Sequence, residues 1–234
     1  MTYSARSIIG AFLDFVYPPL CLVCGALLSH GTEHVCDACR SSIALAKDHP
    51  ALIEEISAKL RSSVDGVQAP FVFQKTGPLQ TLVHALKYEK IEAVGMWLGE
   101  RLGEELVRSG HRPDILIPVP LHKAKERERG YNQSVLIAMG CARAAGGRVL
   151  PAAVRRTRNT RTQTKLSIEE RKMNVTDVFE VDGSIRDELP GATVLIVDDV
   201  ITTGATIGAC AKVLRATGAN RLLAGSAALA DHAA

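Results

Sequence analysis

The sequence predicts an α/β fold, a parallel sheet with helices on both faces, behind a small cysteine-bearing N-terminal module. Three observations predict it. Short apolar runs of buried-strand type alternate with segments of helical spacing from residue 66 onward, and strands separated by helices favour parallel pairing. Four of the six cysteines crowd into the first forty residues. The 234 residues are 47% hydrophobic and 23% charged, an ordinary globular balance that supplies one sizeable core and excludes collagen, coiled coil and disorder.

The elements follow in order. Residues 8–16 read as an amphipathic helix interrupted by Asp14, well short of the roughly 18–20 apolar residues of a membrane span. Only Arg6 precedes them and no small-x-small site follows before Tyr17, so a signal peptide is not expected and the protein is expected to be cytoplasmic, without membrane insertion. Residues 50–60 (PALIEEISAKL) have helical spacing and Gly66 marks a break. Residues 1–65 are therefore expected to form the tetracysteine module with its helices, and residues 66–234 the α/β domain. Residues 67–74 (VQAPFVFQ) predict a strand, at an edge because of Pro70. Residues 79–87 and 94–107 predict helices, 114–119 (DILIPV) a buried strand and 134–145 an Ala-rich helix. Residues 178–181 predict a small strand, 193–197 (TVLIV) a buried one, 205–216 a helix ended by Gly218, and 221–228 a last strand. The net charge of +3 is too small to argue nucleic-acid or membrane binding by itself.

Cys21-Leu22-Val23-Cys24 and Cys36-Asp37-Ala38-Cys39 are two CxxC knuckles. Each knuckle turns two thiolates toward one ion, and two together complete a tetrahedral site of the structural zinc kind. A disulfide pair is disfavoured without a secretory signal, whereas spacing leaves an iron-sulfur cluster open. His30 and His34 lie between the knuckles and read as solvated loop residues. A closed four-ligand site has no open position for substrate, so its role is folding or contact. Cys141 and Cys210 sit singly in helical stretches and read as small buried hydrophobes.

Residues 194–206 (VLIVDDVITTGAT) carry the most chemistry. A buried strand runs into Asp198 and Asp199, then into a turn of Thr202, Thr203, Gly204, Ala205 and Thr206 that opens a helix. Such a turn aims unpaired N–H groups and hydroxyls at one point, which suits a phosphate, with Gly204 allowing its close approach. The adjacent carboxylates suit sugar hydroxyls and a ligand-borne magnesium. A phosphorylated ribose fits both halves. The plainer reading, a capped helix beside a solvated acidic pair, accounts for either half alone but not for their combination.

This stretch resembles the phosphoribosyl pyrophosphate (PRPP) motif of type I phosphoribosyltransferases. The resemblance implies that Asp198 and Asp199 hold the ribose hydroxyls, and that the backbone and hydroxyls from Thr202 through Thr206 hold the 5-phosphate. Leu86-Lys87-Tyr88 ends a predicted helix, and Lys87 is similar in placement to the family's pyrophosphate-binding basic residue. Residues 117–122 (IPVPLH) leave a buried strand and residues 127–133 (RERGYNQ) enter the next helix, at the strand end where ligands of open α/β sheets bind. Residues 155–174 form a basic stretch between strand signals and are expected to be a long loop, whose cations suit a lid closing over pyrophosphate, the favoured reading, or a nucleic-acid contact. Its flanking strands are expected in the sheet that carries Asp198. In this order, with the tetracysteine module in front, these motifs resemble the ComF-type family of competence and DNA-utilisation proteins across nearly the whole chain.

Two functions are carried forward. In the first, Mg-PRPP binds at the sheet's C-terminal edge and an unknown acceptor displaces pyrophosphate, with Lys87, Arg158, Arg161 and Arg171 stabilising the leaving group. In the second, the chain is a non-catalytic accessory protein that binds PRPP, DNA or a protein of the competence machinery.

Overall fold

The computed structural model describes residues 18–29, 32, 34–157 and 179–231. Four strands make the body of the main sheet: β1 (Gly66–Gln68), β3 (Ile115–Pro118), β7 (Thr193–Ile201) and β8 (Arg221–Ala230). They stand in the order β1-β8-β7-β3, with β4 (Arg148–Val149) beyond β3 and β2 (Phe71–Phe73) also on β8, every pair parallel. Parallel strands covered on both faces read as continuous apolar runs, and β3 is buried at all four positions.

Alternation along a strand sends neighbouring side chains to opposite faces. Val194 and Ile196 enter one core with Ile117, Ile207, Leu214 and Leu222, while Leu195 and Val197 enter the other with Leu82, Leu98, Leu116 and Ile137. Cys210 belongs to the first core and Cys141 to the second. Burial raises both thiol pKa values, that of Cys141 to about 12, so both are small hydrophobes as expected.

The described residues form seven helices: α1 (Asp37–Ser41), α2 (Pro50–Leu60), α3 (Pro78–Tyr88), α4 (Glu92–Arg108), α5 (Lys123–Arg129), α6 (Gln133–Ala145) and α7 (Ala205–Ala216). Helices α4 and α6 meet backbone to backbone. Gly95, Gly99 and Gly103 recur every four residues along one face of α4, and a Cβ at Gly99 would stand 2.1 Å from the Ile137 carbonyl oxygen. The reciprocal glycine on α6 is Gly140, whose Cβ would stand 2.1 Å from the Met96 carbonyl oxygen. Leu60 and Ile56 of α2 pack into the same core as α7.

The structure departs from the sequence expectation in four ways. The strand expected over 67–74 is two strands, broken at Pro70, which has no N–H to give a ladder. They lie on the outer side of β8, so the edge position holds. Residues 127–129, expected to lead into the next helix, instead end a short helix of their own, α5, opened by His122 Nδ1 accepting from Ala124 N (3.2 Å) and closed by Gly130 at φ 86. The strand expected at 178–181 is β6 (Phe179–Val181), and it is not in the sheet that carries Asp198. It pairs antiparallel with β5 (Val154–Arg156) in a separate two-stranded sheet, where the Arg156 guanidinium covers the Phe179 ring at 5.1 Å. Arg155 and Arg156, expected in a loop, are therefore strand residues. The helix expected over 8–16 and the basic stretch from Arg158 onward lie outside the described residues. No helix among the described residues is long and apolar enough to cross a membrane.

Candidate functional site

The two knuckles converge. The Sγ atoms of Cys21, Cys24, Cys36 and Cys39 all lie within 4.8 Å of one another, with Cys24 and Cys36 3.7 Å apart. Thiolates at about 2.3 Å from a tetrahedral zinc stand about 3.8 Å from each other, so the four-sulfur donor set fits that ion. The fold supplies second contacts as well: Cys36 N donates to Cys21 Sγ (3.4 Å) and Cys39 N to Cys36 Sγ (3.5 Å). Burial opposes charge at Cys21, but the N–H groups of Cys36, Cys24 and Val23 outweigh it and bring the thiol down to about 6. Burial and the neighbouring sulfurs push Cys39 up to about 12. His34 is not part of this group, and His30 lies outside the described residues.

At the C-terminal edge of the main sheet, β7 runs on through the acidic pair to Ile201, so the carboxylates sit within a paired strand, Asp198 opposite Ser226. They are half-buried rather than exposed. Each is oriented by the next residue's amide, Asp199 N donating to Asp198 Oδ1 (2.8 Å) and Val200 N to Asp199 Oδ1 (2.7 Å). Lys87, at the end of α3, brings Nζ to 2.5 Å from Asp199 Oδ2. Ser134, in the first turn of α6, donates its hydroxyl to Asp198 Oδ1 (3.2 Å). Burial first and the Asp199 charge second push the Asp198 carboxyl up to about 7, against the opposing pull of the Asp199 amide, Ser134 and Lys87.

These groups line one cavity of about 410 Å³ that also takes in Val119, Pro120, Leu121, His122, Lys125, Arg129, Gln133, Arg156 and Thr206. The Pro-Val-Pro-Leu-His segment thus borders the site as its strand-end position requires. Of the Thr-rich turn, Thr206 faces the cavity, while Thr202, Thr203, Gly204 and Ala205 build the bend into α7. Thr203 Oγ1 accepts from Ala205 N (3.4 Å), and the first N–H groups of α7 have no carbonyl within their own helix. Gly204 stands at φ 77, and a Cβ there would meet Leu60 Cδ2 at 2.8 Å. The turn's left-handed backbone and the packing of α2 against it both call for a glycine here. Arg158, Arg161 and Arg171 lie outside the described residues.

Of the lining residues, Arg129 and Gln133 come from the 127–133 segment and Arg156 from the basic 155–174 stretch, both expected near a ligand, whereas Ser134 and Lys125 were not singled out from the sequence. Ser134 had a local signal. Asn132 is the N-cap of α6, its side chain accepting from Ser134 N (3.0 Å), and Asn-x-Ser at a helix start marks where that helix aims its N-terminus. Arg129 bonds Gln133 Oε1 (2.8 Å) and covers the Tyr88 ring at 5.6 Å, a contact across two elements that spacing does not encode.

Comparison with known proteins gives two family models in tandem. Residues 12–50 match a double zinc ribbon domain, and residues 131–234 a phosphoribosyl transferase domain. The zinc ribbon match and the four converging sulfurs make the ion a structural zinc. The chain is 30% identical over 219 residues to DNA utilization protein YhgH of Salmonella typhi, covering 86% of this chain and 93% of that one. It is 33% identical over 154 residues to competence protein F of Haemophilus influenzae, covering 62% and 65% respectively. Glutamine PRPP amidotransferase from B. subtilis, solved with ADP and GMP, aligns with TM-score 0.42 and 24% identity over 58% of this chain and 26% of its own.

Proposed function

The chain belongs to the family of DNA utilization protein YhgH and competence protein F, and from that premise we propose that it binds Mg-PRPP and transfers the phosphoribosyl group to an acceptor with release of pyrophosphate. One observation carries this reading. A single cavity holds an acidic pair at a buried strand's end, a helix N-terminus reached through a Thr-rich turn, and several cations. The phosphate of a phosphorylated ribose matches the α7 N-terminus and Thr206, its ring hydroxyls match Asp198 and Asp199, and a diphosphate on its anomeric carbon matches Lys87 with Arg129, Lys125 and Arg156.

The proposed reaction breaks the bond between the anomeric carbon and pyrophosphate and forms one to the acceptor, whose proton leaves to solvent. Magnesium bound to PRPP supplies charge neutralisation of the leaving diphosphate. The protein's own part is to orient the ribose through the carboxylates, balance the phosphates with cations and exclude water. The link to DNA utilisation and competence rests on the relatives' names.

Isothermal titration with PRPP and magnesium, followed by a screen for pyrophosphate release over candidate acceptors, tests the proposal. Saturable binding in the micromolar range with release for one acceptor is the expected outcome. Binding without release from any acceptor would move the protein to a PRPP-binding accessory role, and no binding would overturn the reading.

A further inference from the structure

We infer that Tyr131 is a positioning residue of the cavity, whose hydroxyl fixes the last turn of α3 so that Lys87 is presented to Asp199. The Tyr131 hydroxyl donates to the Leu86 carbonyl, one residue before Lys87. Near a helix end carbonyls lack a partner in their own helix. Here the chain leaves α3 at Glu89 and turns at Lys90, which stands at φ 58, so the partner of Leu86 comes from a distant segment. A lysine side chain is long and flexible, and only a held backbone gives its Nζ one address.

The donor is itself anchored. The Asn132 side-chain amide donates to the Val119 carbonyl at the end of β3 (2.9 Å), its oxygen caps Ser134 N, and Ser134 reaches Asp198. Residues 131, 132 and 134 therefore tie the helix end bearing Lys87 to the strand end bearing the acidic pair. On the other side of Lys87 the Arg129 guanidinium covers Tyr88 and bonds Gln133. Lys87 lies between two residues held by the same segment. Burial raises the Tyr131 phenol pKa, which keeps its O–H a donor at neutral pH.

Tyr131→Phe keeps the ring and removes the donor. The first readout needs no ligand: limited acetylation of the full chain by N-succinimidyl acetate, followed by peptide mass spectrometry. Lys87 should label about 3- to 10-fold faster in the variant, the factor expected for one lost hydrogen bond, with Lys125 unchanged. The second rests on the PRPP reading: Tyr131→Phe should weaken Mg-PRPP by a similar factor, and not weaken it further in a Lys87→Ala background. Unchanged Lys87 labelling in a folded variant, or equal weakening in both backgrounds, would overturn the inference. A wild-type chain that binds no PRPP sinks the proposed function, and the labelling still decides this one. Should Tyr131→Phe not fold, 4-aminophenylalanine at position 131, which keeps a donor on the ring, should leave Lys87 labelling at the wild-type rate and 4-methylphenylalanine, which has none, should raise it, while equal labelling in the two refutes the inference.

Discussion

Lys87 Nζ, at the end of a helix, stands 2.5 Å from Asp199 Oδ2, at the end of a strand, and both side chains are about one-fifth exposed. In the ligand-free chain one carboxylate of the acidic pair is thus neutralised from within. Its neighbour Asp198 has a hydroxyl, from Ser134, and no cation at bonding distance among the described residues. On the proposed function, a sugar diol with magnesium would be bound on this uncompensated side.

The first prediction follows from that asymmetry. Asp198→Asn with Asp199→Asn should lower Mg-PRPP affinity by roughly 100-fold, since charge-assisted contacts are the strong ones, while the circular dichroism spectrum is retained. Titration heats equal to wild type would refute the assignment of the pair.

The second concerns pH. Asp198 is raised from 3.8 to about 7 by burial and by Asp199. A carboxyl with a folded pKa above its unfolded one contributes stability below the unfolded value and loses it as pH rises through the folded value. The window runs from about pH 4 to about pH 7. Above it the ionised group works against the fold, so Asp198→Asn should melt higher than wild type at pH 8 by an amount equivalent to about 1–2 kcal/mol. The gap should shrink toward pH 5. A difference in melting temperature independent of pH would contradict the raised pKa.

The third concerns the helix pair behind the site. Gly99→Ala and Gly140→Ala each set a methyl about 2 Å from a carbonyl oxygen, an overlap that only separation of α4 and α6 relieves. Each should cost about 2–4 kcal/mol in urea unfolding, the range of severe overpacking. Gly208→Ala is the contrast. It lies in α7, where a Cβ would meet Ser63 Oγ at 3.5 Å, an ordinary contact, so helix propensity should make it stabilising by about 0.5–1 kcal/mol. A neutral Gly99→Ala would show that the helices part easily.

The fourth concerns the metal. The purified protein should hold one zinc per chain by elemental analysis, and Cys36→Ser should release it and destabilise the module, because the site's binding energy is folding energy. Iron with acid-labile sulfide in place of zinc would overturn the ion's identity.

Much of the site was legible because its motifs are local. Cys21 through Cys39 converge within a short segment, and residues 194–206 carry strand, carboxylates, turn and helix start consecutively. Most element bounds were legible for the same reason, α2 and α7 to the residue. What failed were judgments of neighbourhood. β6 looked like one more strand of the main sheet, since periodicity reports a strand but not its partner. At Gly204 a turn glycine likewise does not reveal that Leu60 fills the place a Cβ would take.

By itself, then, the sequence determined the zinc ribbon ahead of an α/β domain, the four converging cysteines and the acidic pair beside a Thr-rich turn, all signals of composition, periodicity or close spacing. Tertiary structure alone decided that Ser134 meets Asp198 across 64 residues, that Tyr131 holds Leu86 across 45, and that Lys87 closes on Asp199. The physical reason is that a side chain's chemistry travels with its residue, whereas its partner is chosen by sheet order and by how closely helices can approach. Here that approach is set by glycines on α4 and α6 whose purpose is invisible until the two helices touch.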